Sequence, residues 1–140
     1  MISGLDVILP PHKCVECKGC CVFDKEDLWE IDGIVETVPG GIRSDNPQEF
    51  VCVHLGEDGC KLGENKPIEC AVYPFRVMRF GNSEIIAVCK FCKAVMDLPL
   101  SRVVDFAESK ADEFSKLSKA NPHIIKEHNQ EYVILGRLLR

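Results

Sequence analysis

Phe75-Arg76-Val77-Met78-Arg79-Phe80-Gly81-Asn82-Ser83-Glu84-Ile85-Ile86-Ala87-Val88-Cys89-Lys90-Phe91-Cys92 reads as a hairpin that runs into a thiol pair. Aromatic and β-branched residues give Phe75 to Phe80 and Glu84 to Val88 strand character. Gly81-Asn82-Ser83 suits the turn between them. The second strand ends at Cys89-Lys90-Phe91-Cys92, a spacing that aims two sulfurs at one soft centre. A thioredoxin-like redox pair has the same spacing, but the βαβ surroundings it needs are missing from the flanking sequence.

Just upstream, Asn65-Lys66-Pro67 starts a helical turn, since proline's missing N–H costs little in the first turn. That turn carries Cys70 and ends before Pro74. Further back, Phe50, Cys52 and His54 alternate with Val51, Val53 and Leu55, which predicts a short strand from Phe50 to Leu55. Glu57-Asp58-Gly59 is a hairpin-turn signal that would set Cys60 near Cys52 across the pair, with His54 beside them as a less favoured nitrogen ligand.

The densest stretch is Cys14-Val15-Glu16-Cys17-Lys18-Gly19-Cys20-Cys21, four cysteines in eight residues. Packing does not need that density; metal ligation does. Gly19 gives such a knuckle the positive φ it often requires. Before it, Asp6 to Leu9 reads as a short strand stopped by Pro10-Pro11, and His12 as a solvated histidine rather than a ligand. After it, Asp24 caps a helix predicted from Lys25 to Glu36, with Leu28, Ile31, Val35 and Val38 on one face and an acidic outer surface. Trp29 reads as core.

Downstream of Pro99 cysteine disappears. Ser101 is placed to cap a helix whose stripe is Val103, Ala107, Phe114 and Leu117, ending near Asn121-Pro122. A helical turn is expected around Ile124 to Glu127, and Tyr132-Val133-Ile134-Leu135 fits strand or helix alike. His123 and His128 read as exposed or half-buried. The expected architecture is therefore α+β, with a cysteine-rich domain over residues 1–98 and a helical cover over 99–140, too short to bury a core of its own.

Nine cysteines in 140 residues would suit a secreted disulfide scaffold, but the odd count and an N-terminus without a basic-then-apolar leader point to reduced thiols and a cytoplasmic, soluble protein. No apolar run reaches the length of a membrane span. The net charge of −5 is uneven, with 10 Lys/Arg against 16 Asp/Glu from Met1 to Asp97. That disfavours nucleic acid, which needs a basic stripe, and leaves the acidic surface as a docking face for a protein partner.

A tetrahedral zinc or a four-iron cluster takes about four thiolates, so one site leaves roughly half of the cysteines over. The candidate ligands are Cys14, Cys17, Cys20, Cys21, Cys52, Cys60, Cys70, Cys89 and Cys92. Cys14, Cys17 and Cys20 match the start of a bacterial ferredoxin run whose fourth position is here Asp24. Cys70, with Pro74 after it, is the candidate replacement, which makes Cys14, Cys17, Cys20 and Cys70 the leading cluster set. A second metal at Cys52, Cys60, Cys89 and Cys92 competes with it. All-thiolate ligation favours an iron–sulfur cluster, of the four-iron type by ligand number, over zinc by a small margin. Glu69, Tyr73 and Arg76 flank Cys70 as supporting residues.

The strings Cys14-x-x-Cys17-x-x-Cys20-Cys21, Cys52, Gly59-Cys60 and Lys66-Pro67-x-x-Cys70-x-x-Tyr73-Pro74-Phe75 resemble the CxxCxxCC cysteine-cluster family described as zinc- or iron-chelating domains. That family is similar to part of the flagellin lysine N-methylases. The resemblance spans roughly Lys13 to Cys92. Lys66 and Ala71 stand where the family usually has arginine, and Val53 where it usually has proline. The resemblance implies metal binding. The expected function is redox transfer or sensing, with a zinc-organised interaction module and a metal-dependent protein-modifying enzyme as alternatives.

Overall fold

A computed structural model describes residues 2–9, 22–24, 37–39, 49–56, 59–62 and 65–138 of the chain. Two units divide it: Met1–Pro10 with Ile68–Arg140, and Pro11–Pro67. The second unit contains two small sheets. Strands β1 (Val22–Asp24), β2 (Thr37–Pro39) and β3 (Glu49–Cys52) form one antiparallel sheet in the order β1-β3-β2, and β4 (Leu55–Gly56) pairs with β5 (Gly59–Cys60). The helix expected from Lys25 to Glu36 lies outside the described residues, as do Cys14, Cys17, Cys20, Cys21, His12 and Trp29.

The first unit begins with α1 (Leu5–Ile8), where a strand was expected. Gly4, at φ 71°, turns the chain, and Val7 N–H donates to the Gly4 carbonyl while Leu9 N–H donates to Leu5. These local bonds satisfy backbone groups that a strand would have to pair elsewhere. They also bury Ile8 and Leu9.

The central element is a mixed sheet of order β8-β6-β7-β9. Helix α2 (Ile68–Val72) starts directly after Pro67 and leads through a cis Tyr73–Pro74 peptide into β6 (Phe75–Phe80). Strand β7 (Ser83–Cys89) returns antiparallel to it, with Gly81 at φ 63° in the connection, a backbone conformation that favours glycine. Helix α3 (Lys93–Met96) follows, then α4 (Leu100–Ser109) and α5 (Ala111–Ala120). Strand β8 (Lys126–Glu127) joins β6 in parallel, and β9 (Tyr132–Arg137) joins β7 antiparallel. The fold is α+β.

Helices α4 and α5 were expected as one. They break at Lys110, where the Ser109 hydroxyl donates to the Phe106 carbonyl at 2.7 Å and Lys110 N–H is shared between Phe106 and Ala107. A serine side chain that takes a helix carbonyl competes with the backbone ladder. The break lets both helices reach one core residue: the Phe75 ring lies 5.3 Å from Phe106 and 6.1 Å from Phe114. Val103, Ala107 and Phe114 of the expected stripe are buried, and Leu117 is half-buried. The turn expected at Ile124 to Glu127 is instead a short 3-10 turn, Pro122–Ile124, followed by β8. Its local pattern is too short to signal a strand, and the parallel pairing with Met78 and Arg79 decides the matter.

Both faces of the inner strands are buried. Phe75, Val77 and Val88 lie on the helix-packed face, while Arg76, Met78, Ala87 and Cys89 alternate with them on the other, and all eight of Phe75 to Met78 and Ile86 to Cys89 are no more than 7% exposed. That is why Ile85-Ile86-Ala87-Val88 runs continuously apolar instead of alternating.

Candidate thiol site

Cys89 is the last residue of β7, and backbone bonds hold it from two sides. Its own N–H donates to the Pro74 carbonyl at 2.9 Å, and the next N–H, of Lys90, donates to Glu131 at 2.9 Å. Cys92 N–H closes the turn onto the Cys89 carbonyl at 3.3 Å, and the Cys92 carbonyl accepts from Val95 and Met96 to start α3. The Cys-x-x-Cys segment is thus a turn between a strand end and a helix start. Both cysteines are buried, whereas Lys90 and Phe91 between them are exposed, with the ammonium 5.3 Å from the ring centroid.

Tyr73, just beyond α2, donates its hydroxyl to Cys89 Sγ at 3.2 Å. Burial, followed by the charge of the neighbouring Cys89 sulfur, pushes the tyrosine pKa well above its ordinary value. The hydroxyl therefore stays protonated and remains a donor. Donors of this kind favour the charged form of a sulfur. Replacing Tyr73 by phenylalanine is expected to lower stability by about 1 to 2 kcal/mol, the cost of leaving a buried acceptor without this donor. Urea unfolding of the variant checks it: an unchanged midpoint and slope would mean that the bond contributes nothing.

The sheet adds two further residues. Cys89 is paired in register with Tyr132 on β9, and Arg76 is paired with Ala87, two residues from Cys89 on the same face. The Arg76 guanidinium carbon lies 6.0 Å from the centroid of the Tyr132 ring. Arg76 is 7% exposed, and its Nε and Nη2 have no hydrogen-bond partner. Arg76 and Tyr73 stood out in the sequence because they flank Cys70. Tyr132 did not, because the run it begins fits strand or helix equally well until β7 recruits it.

Among the described residues, Cys52, Cys70, Cys89 and Cys92 are thiols rather than disulfides. Cys70 and Glu69 are half-buried on α2, and Cys52 is buried in β3. The expected pairing of Cys52 with Cys60 is not the one formed. Val53 and His54 turn the chain between β3 and β4, so Cys52 faces Thr37 in register and Cys60 faces Leu55. Of the histidines, His54 is half-buried and His123 exposed. His128 Nε2 donates to the Tyr132 carbonyl at 2.8 Å while its ring meets Phe80 edge-on, which makes it a clamp between strands. No group of three or more histidine, cysteine or acidic residues among those described is arranged to hold a metal ion, and no described helix is long and apolar enough to cross a membrane. No family model matches the chain, and neither a curated protein nor a solved structure matches it.

Proposed function

We propose that this chain binds metal through cysteine thiolates, as an iron–sulfur cluster in preference to zinc, and serves in electron transfer or redox sensing. The observation that carries the reading is the Cys89-x-x-Cys92 turn, two buried reduced thiols of which Cys89 accepts the Tyr73 hydroxyl. Core packing alone does not call for a donor aimed at a sulfur. A thiolate does, and thiolate is the form that binds iron and zinc. This turn supplies two such donors, and the string Cys14, Cys17, Cys20 and Cys21 holds four more. A cluster bound through cysteine thiolates would exchange single electrons at a potential tuned by hydrogen bonds to sulfur and by burial.

Serine substitution tests it, because serine is close to cysteine in size but a much harder donor. Protein purified without oxygen is expected to contain metal, and iron together with sulfide, in simple ratio to the chain. Both Cys89→Ser/Cys92→Ser and Cys14→Ser/Cys17→Ser should lower that ratio while the far-ultraviolet dichroism of the sheet persists. A Cys89→Ser/Cys92→Ser variant with its full metal content would remove this pair from the ligand set.

A further inference from the structure

We propose that the Cys89–Cys92 turn is a peroxide-sensitive dithiol: a small hydroperoxide oxidises Cys92, and Cys89, assisted by the Tyr73 hydroxyl, closes on it to form a reversible disulfide. The inference goes beyond the metal-binding reading, since it needs no metal.

The backbone already holds the pair at bridging distance. Cys92 N–H donates to the Cys89 carbonyl at 3.3 Å, so the four residues form a closed turn. Such a turn keeps its end Cα atoms within about 7 Å, and a disulfide needs about 4.4 to 6.8 Å. The side chains agree with the backbone. Cys89 and Cys92 are 1% and 9% exposed, whereas Lys90 and Phe91 between them face solvent. Both cysteines are thiols, and the Tyr73 hydroxyl donates to Cys89 Sγ at 3.2 Å. Burial raises the pKa of that hydroxyl most, then Cys89, and the charge of Cys92 adds to the effect, which sets both sulfurs around one donor.

Burial also decides the oxidant and the order of events. A sulfur with so little open surface admits a molecule near the size of water but not a bulky disulfide, because exchange depends on access. That separates this pair from a thioredoxin-like exchanger. Cys92, the more open of the two, meets the oxidant first. Its proton leaves to solvent and its sulfur attacks a peroxide oxygen; the S–O bond forms, the O–O bond breaks, and one water departs, leaving a sulfenic acid. Cys89 then gives up its proton and attacks the Cys92 sulfur; the S–S bond forms, the S–O bond breaks, and a second water departs. Each sulfur is oxidised by one electron and hydrogen peroxide is reduced by two. Tyr73 favours the charge that Cys89 carries as it attacks.

The test uses the full chain, purified without oxygen, kept with a chelator so that no metal shields the sulfurs, and exposed to hydrogen peroxide. Trypsin cuts after Lys90, so the bridge appears in mass spectra as residues 80–90 joined to residues 91–93 once remaining thiols are alkylated. A bridge in simple ratio to the chain, reversed by dithiothreitol, is the expected result. Cys89→Ser should stop at a Cys92 sulfenic acid that dimedone captures, whereas in Cys92→Ser the buried Cys89 should react at least about tenfold more slowly. Tyr73→Phe should slow closure about tenfold, the scale of one hydrogen bond to a charged group, and leave the first oxidation unchanged, so that dimedone captures more intermediate. A merely structural role would not split the two steps. Oxidised glutathione should bridge the pair at less than about one-tenth of the peroxide rate. Cys92 joined to a different cysteine, both thiols still open to alkylation after peroxide, equal bridging by glutathione, or unchanged closure in Tyr73→Phe would each overturn the assignment. A wild-type chain that binds no metal leaves this inference standing, and a metal-binding chain that forms no bridge with the chelator present sinks this inference alone.

Discussion

If the chain holds metal as proposed, a strong chelator is expected to unfold residues 11–67 while the four-stranded sheet keeps its structure. Structural thiolate sites contribute about 10 to 16 kcal/mol of apparent binding energy in small peptides, against about 5 to 15 kcal/mol of net stability for a whole domain. The described elements of that unit are strands of two to four residues. Such short strands contribute little cooperative stability without a larger core. The sequence by itself suggested a metal dependence reaching from Met1 to Cys92. The buried set Phe75, Val77, Met78, Ile86, Val88 and Phe114 narrows it, because those side chains stabilise each other by packing. Amide exchange measured before and after chelation separates the outcomes. Lost protection confined to 11–67 is the expected pattern, and unchanged protection throughout would show that metal holds nothing together.

Ending the chain at Leu98 is expected to abolish folding of the sheet unit. The sequence pointed to a helical cover in this segment, but Leu100–Arg140 also contributes two strands. Without it β7 loses its register with Tyr132 to Arg137, β6 loses β8, and the Phe75 ring loses both Phe106 and Phe114. Each large apolar side chain returned to water costs about 1.5 to 3 kcal/mol, and Phe75, Val77 and Val88 lie on the uncovered face. Together with the lost core residues Val103, Ala107, Phe114 and Tyr132, the sum is of the same size as the roughly 5 to 15 kcal/mol that holds a typical domain. The truncated protein should bind a hydrophobic dye, lose its near-ultraviolet dichroism and aggregate. A monomeric product with a sharp melting transition would show the segment to be dispensable.

What was legible in the sequence follows from how local each signal is. The hairpin from Phe75 to Cys89 was readable because its two strands, its glycine turn and its pairing are contiguous. The Cys89–Cys92 knuckle was readable because a turn of four residues closes on itself. The strand at Tyr132 was open because its partner β7 lies more than forty residues away in the chain, and the two-residue β8 is defined only by that kind of distant pairing. Leu5 to Ile8 was misread since an apolar run before Pro10-Pro11 has no period to mark it, and the deciding feature is the positive φ of Gly4. Cys52 and Cys60 were misplaced for a different reason: alternation carried the strand through Val53 and His54, where the backbone turns. The burial of Arg76 was hidden because sequence shows a charge but not its surroundings. Only the register of β6, β7 and β9 brings that cation, Tyr132 and Cys89 to one face.

X-ray absorption at the edge of whichever metal is present in protein purified without oxygen tests the central claim most directly. The account predicts iron or zinc with a first shell of sulfur alone, at about 2.3 Å, and a loss of signal in Cys89→Ser/Cys92→Ser. A first shell of nitrogen and oxygen, or no metal in stoichiometric amount, would contradict it.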